Sequence, residues 1–381
     1  MPCGPTHAAQ DDLHGAGRAH YMQLDLMKAA AIALVILDHT VSHYVRSTIF
    51  PYFWELTSVP LFLIIMGFNT GNSLRSMTQK PMREVYSREY IRRKTNRYLL
   101  PVAYLFAVGM IIAAVAALLQ TRFTLSLGNL PFLGPGVWFV PIVLSAVLVL
   151  PGLYRVFLWK PRLTIAVCFT TDLAQYLVMY LMFPEWPTNT WPEDAFRIVL
   201  FCSVTIYLFP VTLGFWLSEG HGITLRHNYA IHSLLLVSLM YIIAYQFFGY
   251  RVFFIPEEGA EFNPLVMPYS VFLFLLGMRV LPTTSGRMVT SALAKMGKAS
   301  YHILMTQILY FAIMYDLLPA LFPLGPTGNS VLCLSLFLVN LVTCSLLGTL
   351  WYWWESSRRS RRVSLSTLGM TENGASRSQI Q

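Results

Sequence analysis

Runs of about twenty apolar residues recur along almost the whole chain, and that recurrence decides what it can fold into. A helix needs roughly that length to cross the hydrocarbon of a bilayer. Spans of this kind lie at 24–42, 53–71, 99–119, 136–156, 162–182, 197–217, 229–248, 265–281, 302–319 and 331–354. Of the 381 residues 55% are hydrophobic and only 12% charged, which excludes a soluble domain built on one core. The expected fold is all-α: a polytopic membrane helix bundle of about ten transmembrane helices. Residues 1–23 form a polar segment, 24–355 the membrane domain, and 356–381 a Ser/Arg-rich tail expected to be disordered.

The charges give the bundle an orientation. The 72–98 loop alone holds Arg75, Lys80, Arg83, Arg88, Arg92, Arg93, Lys94 and Arg97, whereas the loops on the opposite side carry little beyond Arg46, Arg122 and Arg251. Acidic residues such as Glu55, Glu185, Glu257 and Glu258 fall on that opposite side. By the positive-inside bias, both termini are expected in the cytoplasm and the protein in the cytoplasmic membrane. The net charge of +9 is accounted for by this face and by anionic lipid, with no call for nucleic acid. The first twenty residues lack the basic start and early apolar run of a cleavable signal peptide. Five scattered cysteines form neither a disulfide framework nor a metal motif, and no metal site is expected. Walker, Gly-x-Ser-x-Gly and His-Glu-x-x-His patterns are absent from the sequence.

Against this background the first span is unusual. It carries Asp25, Lys28, Asp38 and His39. Lys28 and His39 are separated by eleven helical steps, which returns the two side chains to within about 20° of each other and sets them roughly 16 Å apart along the axis. Ionisable groups at membrane depth are costly, and a pair on one face reads as a site. The competing readings are a snorkelling anchor for Lys28 and a helix-packing hydrogen bonder for His39. On the site reading the cation holds an anionic donor near the inner surface. The imidazole, which titrates near working pH, serves as a general base deeper in. Asp38 lies about 100° round the helix and is expected to be a poor partner for His39, pairing instead with another helix. Asp172, Gln175, His232 and Asp316 are further polar residues at membrane depth. Arg93 and Arg97, four apart at the start of the third span, suit phosphate, although an ordinary basic loop has the same composition. Gly67 and Gly71 have the spacing of a packing device.

Five short motifs, in order and spacing, resemble the acyltransferase-3 family of integral membrane acyltransferases. They are Lys28 with His39; the run Val59 to Phe68, ending Met66-Gly67-Phe68 where the family has Ser-Gly-Phe; Arg93 to Pro101; Val137-Trp138-Phe139; and Gly297-Lys298-Ala299-Ser300-Tyr301. The resemblance extends over residues 20–355. The chain departs from it at Met66, at Gln307, where the family often has a histidine, and after Trp138, where many members have a glutamate. Some relatives carry an appended SGNH esterase-like domain. None is expected here, so the membrane domain would complete the transfer alone or with a partner.

The resemblance implies an acyl-CoA donor, with acetyl-CoA the first choice and no permanently bound cofactor. It implies an acceptor hydroxyl on a cell-envelope or exported glycan. His39 and Lys28 would be catalytic, and Lys28, Arg93 and Arg97 would hold the CoA phosphates. Asp25, Trp138, Ser300 and Tyr301 would bind substrate. Alternatives are the same fold acylating an amine, a lipid or a small molecule, and a transporter using the charged first helix as its path. A transporter would more often show two similar halves with broken helices, and the sequence shows neither.

Overall fold

A computed structural model describes residues 21–41, 43–118, 136–182, 202–220, 229–250, 252, 263–284, 286–314 and 330–377. Among them every regular element is a helix. The α-helices are α1 Met22–Thr40, α2 His43–Thr48, α3 Pro51–Leu74, α4 Met82–Val85, α5 Arg88–Leu118, α6 Phe139–Trp159 and α7 Pro161–Met182. They continue with α8 Leu208–Ser218, α9 Tyr229–Phe248, α10 Met267–Val280, α11 Met288–Lys298, α12 Ser300–Ala312 and α13 Ser330–Arg377. Short 3₁₀ turns cover Arg75–Met77 and Val204–Tyr207.

Among the described residues, four helical stretches are long and apolar enough to cross a membrane: Pro51–Met77, Met82–Ile112, Phe139–Trp159 and Val331–Arg358. Val204–Ser218, His232–Phe248 and Met267–Val280 are shorter apolar helices. α1 has the length but carries the three charges Asp25, Lys28 and Asp38. Along α13, Leu334, Leu338, Leu346 and Leu350 each expose half or more of their surface. A ridge of that kind belongs against lipid.

Two expected boundaries move. The third span was expected from residue 99, but α5 begins at Arg88, because no breaker lies between Ser87 and the apolar run and the basic residues are good helix formers. The tail expected to be disordered from Ser356 continues α13 as helix to Arg377, and no proline interrupts it. Asp316 and the charged residues Arg122, Glu185, Glu193, Asp194, Arg251, Glu257, Glu258 and Glu261 lie outside the described residues.

α1 is an interior helix. Ala31, Ile32 and Ile36 are fully buried. One of its flanks packs with Ile303, Leu304, Ile308 and Phe311 of α12, Leu105 of α5 and Cys344 of α13. The other flank, through Leu24, Met27 and Ala31, packs with Ile64, Ile65 and Phe68 of α3 and with Val271 and Phe274 of α10. The charged helix thus runs through the middle of the bundle.

Glycines set its neighbours' distances. A Cβ on Gly67 would collide with the backbone of Val211, and one on Gly214 with the backbone of α3, so α3 and α8 meet backbone to backbone. Gly71 packs on Ser218, and the small-residue spacing is the packing device its sequence suggests. Gly297 of α11 sits directly on the Asp25 backbone of α1.

Candidate active site

The two ends of α1 carry two different polar clusters. At the first end, Lys28 Nζ donates to Asp25 Oδ1 at 2.7 Å. The Lys28 side chain is only 21% exposed, so it is held by the protein and does not reach out to solvent as an anchor would. Lys28 also acts electrostatically on the phenol of Tyr98, as do Lys94 and Arg97. The Arg97 guanidinium lies 5.5 Å from the centre of the Tyr98 ring and Lys94 Nζ 5.9 Å. From α12, the Tyr301 hydroxyl donates to the backbone carbonyl of Tyr98 at 3.0 Å, with the two rings edge to face. Lys28, Lys94, Arg97 and Tyr301, from three helices, therefore converge on one tyrosine. Tyr98 has no distinguishing sequence signal of its own beyond following Arg97.

The other predicted residues of this end fall around it. Asp25 is buried beneath Lys28. Ser300 is buried where α12 begins. Arg93 is exposed and lies 3.3 Å from Glu89, one turn out from Arg97, so it stands outside the cluster. Beside Tyr301, His302 is hydrogen-bonded at 2.7 Å to Glu355 of α13, both buried, and this pair ties α12 to α13.

The far end of α1 is organised around His39. α1 stops at Thr40, after which Val41 is extended. Thr40 donates to the Ile36 carbonyl and accepts from Asn340 Nδ2 at 3.1 Å, while Tyr310 donates to Asn340 Oδ1 at 2.8 Å. This bridge clamps the helix end between α12 and α13. The chain then turns through α2 and through Phe50, at φ 51°, into α3. The turn brings Arg46 back over the helix end. Arg46 lies 2.6 Å from Asp38 Oδ1 and hydrogen-bonds Glu55 of α3 through both Nε and Nη2.

Asp38 was expected to be a poor partner for His39 and to pair with another helix. The pairing with α2 is found, but Asp38 Oδ2 also stands 3.6 Å from His39 Nδ1. That is beyond a hydrogen bond but close enough for a direct electrostatic contact. The helical angle between neighbours holds for their Cβ atoms. Arg46, fixed by Glu55, holds the far end of the Asp38 carboxylate at the end of the helix, where no following turn confines it.

The opposite edge of the imidazole faces a glycine. Gly136 adopts φ +88°, a conformation that disfavours any side chain. A Cβ placed on it would come within 3.9 Å of His39 Nε2, 3.4 Å of Gln307 Nε2 and 3.7 Å of Leu304. Phe311 packs edge to face on the His39 ring at 6.0 Å. Trp138, two residues after Gly136, caps α6 and lies edge-on to Phe139. Glycine, glutamine and histidine thus share one small space walled by Leu304 and Phe311. At this end Arg46, Glu55, Gly136 and Gln307, and at the other Lys94 and Tyr98, are residues that reading the sequence did not assign to the site. Gly136, beside a proline and just before Trp138, is the one whose local pattern carried a signal.

Asp172, one of the polar residues noted at membrane depth, is fully buried and accepts from the Phe209 backbone N–H at 3.0 Å, so it caps the start of α8. Gln175 lies on the same helix.

One end of α1 offers a cluster of cations and phenols, the other an imidazole with a carboxylate behind it and the glycine Gly136 before it. This is a division suited to gripping an anionic carrier and reacting its far end. No curated protein and no solved structure proved similar to the chain. The profile of one family, described as an acyltransferase domain, matches residues 22–352, beginning at the first residue of α1 and ending in α13 beyond the Tyr301 partner helix. On that match over most of its length, with no strand among the described residues and apolar helices of membrane-crossing length, this chain belongs to the acyltransferase-3 family and is a membrane acyltransferase.

Proposed function

We propose that the protein moves an acetyl group from cytoplasmic acetyl-CoA to a hydroxyl of a cell-envelope or exported glycan, within the cytoplasmic membrane. The observation that carries this reading is the placement of Lys28 and His39 at opposite ends of one buried helix, each in its own polar cluster. Lys28, Lys94 and Arg97 hold the phosphates of the donor, and Arg93 stands one turn out at the mouth. Asp25 fixes Lys28, and Tyr301 fixes the α5 backbone beside Arg97. The pantetheine arm is long enough to follow the roughly 16 Å from Lys28 to His39.

At the far end the acceptor hydroxyl gives its proton to His39 Nε2 as its oxygen attacks the thioester carbonyl. The C–O bond forms, the C–S bond breaks, and the departing CoA sulfur recovers a proton from the imidazole. Asp38 behind Nδ1 orients the ring. Direct transfer is favoured over an acyl-enzyme, because no sequence motif places a second nucleophile.

The test is binding and turnover in detergent-purified protein. Wild type should bind acetyl-CoA, Lys28→Ala should bind it at least tenfold more weakly, and His39→Ala should bind it normally. His39→Ala should lose on the order of 10²–10⁴ in transfer rate. Full transfer by His39→Ala would remove the general base. Binding of neither acetyl-CoA nor longer acyl-CoAs by wild type would remove the donor.

A further inference from the structure

Gln307 is wholly buried, and among the described residues neither its amide nitrogen nor its amide oxygen has a hydrogen-bond partner. A buried amide left unpaired is destabilising, and a native protein keeps one only where something else completes it. Its Nε2 points at the space beside Gly136, the same space that His39 Nε2 borders. The positive φ of Gly136 keeps that space open, since a side chain there is strained by the backbone as well as filling the gap. Leu304 and the ring of Phe311 close it on the apolar side.

From this geometry we infer that Gln307 is the oxyanion donor: its amide N–H hydrogen-bonds the carbonyl oxygen of the acyl thioester, with the acyl carbon beside His39 Nε2. The inference rests on the acyl-transfer reading and names the group that stabilises its charged intermediate. As the acceptor oxygen adds to the carbonyl carbon and its proton passes to His39, the carbonyl electron pair moves onto the oxygen that Gln307 holds. Collapse re-forms the carbonyl, breaks the C–S bond and releases CoA, which takes the proton back from His39. A preorganised donor aimed at the developing charge is the kind of group that lowers such a barrier most.

Gln307→Met keeps the length and bulk of the side chain and removes its hydrogen bonds. Full-length wild type and variant are loaded in detergent with acetyl-CoA carrying ¹³C at the carbonyl, and the carbonyl stretch of the bound thioester is recorded by infrared difference spectroscopy. Acetyl-CoA consumption is followed in membranes prepared from the source cells. Wild type should show a band below the free thioester, and Gln307→Met should return it to the free position. The variant's Kd for acetyl-CoA should change less than about tenfold, and its turnover should fall on the order of 10²–10³. Its melting temperature should be unchanged or higher, because an unpaired polar group is gone. Gln307→Asn, which keeps a buried amide but withdraws it, should show an intermediate band and is the variant to use if the methionine does not fold. An unshifted wild-type band, or turnover of either variant within about threefold of wild type, overturns the assignment. Should wild type bind no acyl-CoA at all, the acyl-transfer reading falls and this assignment with it. Binding and turnover in wild type with an indifferent Gln307 defeats only the assignment.

Discussion

At the scale of single residues, the His39 end shows how a side chain's neighbours are decided by tertiary contacts. Asp38 follows the helical spacing in its backbone, and that spacing made it a poor partner for His39. Its carboxylate is nevertheless at 3.6 Å from the ring, because Arg46 holds its other oxygen and Glu55 holds Arg46. Neither Arg46 nor Glu55 was legible as a site residue. Both count as loop charges in sequence, and only the turn at Phe50 brings them together. The arrangement predicts two separable effects. Asp38→Asn keeps the shape and removes the charge behind Nδ1. A carboxylate shared with a guanidinium is a modest contributor, so transfer should slow roughly tenfold, about 1.4 kcal/mol in the barrier, with little change in acetyl-CoA affinity. Arg46→Ala leaves Asp38 and Glu55 facing each other without their cation, and should lower stability by about 1–3 kcal/mol, with Arg46→Lys recovering part. Thermal unfolding in detergent together with initial rates separates the two, and an Asp38→Asn enzyme of full activity would assign the carboxylate to Arg46 alone.

At the scale of elements, most of the helices were legible because an apolar run in a membrane has few alternatives to helix. The run at 229–248 coincides with α9, and 162–182 lies within a residue of α7. What periodicity did not show is that α1, which carries Asp25, Lys28 and Asp38, is packed on both flanks within the bundle. The motif Gly297 to Tyr301 explains part of how it is held. Gly297 lets α11 rest on the Asp25 backbone, and four residues later Tyr301 fastens α12 to α5 beside Arg97. The resemblance implies that Ser300 and Tyr301 of this motif bind substrate; in the structure Tyr301 also hydrogen-bonds the Tyr98 carbonyl and Gly297 rests on Asp25, contacts that fasten the helices beside Arg97 and Lys28. Gly297→Ala should therefore do more than its size suggests. Its methyl would meet backbone, which cannot swing away as a side chain does, so α11 must shift. A loss of about 1–3 kcal/mol in stability is expected, with acetyl-CoA binding weakened in parallel. Gly286→Ala is the matched control, since none of the described residues stands within 4 Å of its Cβ position. Equal behaviour of the two variants would mean that the contact at Asp25 does not hold the donor end in place.

At the scale of the whole molecule, the proposed chemistry depends on which face of the membrane each end of α1 meets. A donor taken from the cytoplasm requires the Lys28 end inside. The lopsided Lys and Arg content of 72–98 supports this, but charge bias is a statistical guide to orientation, and helix geometry is the same in either sense. α3 provides a ruler. Its 24 residues span about 36 Å, enough to cross the bilayer, with Thr48 just before its start on the His39 side and Gln79 just beyond its end on the side of the basic loop. Both are exposed. In a background with the native cysteines replaced by serine or alanine, Thr48→Cys and Gln79→Cys report the two faces separately. A membrane-impermeant maleimide should label Thr48→Cys in intact cells and Gln79→Cys only after permeabilisation. The reverse pattern would put Lys28, Lys94 and Arg97 outside, away from any CoA pool, and the donor assignment would fail even if His39 proved essential. Labelling of both sites from outside would mean that α3 does not span, and the path along α1 would then join two points on one face and carry no group across. The expected pattern leaves a path in which the donor is gripped at the inner surface and its acyl end is presented about 16 Å further on, beside His39, where an acceptor on the far side of the membrane can reach it.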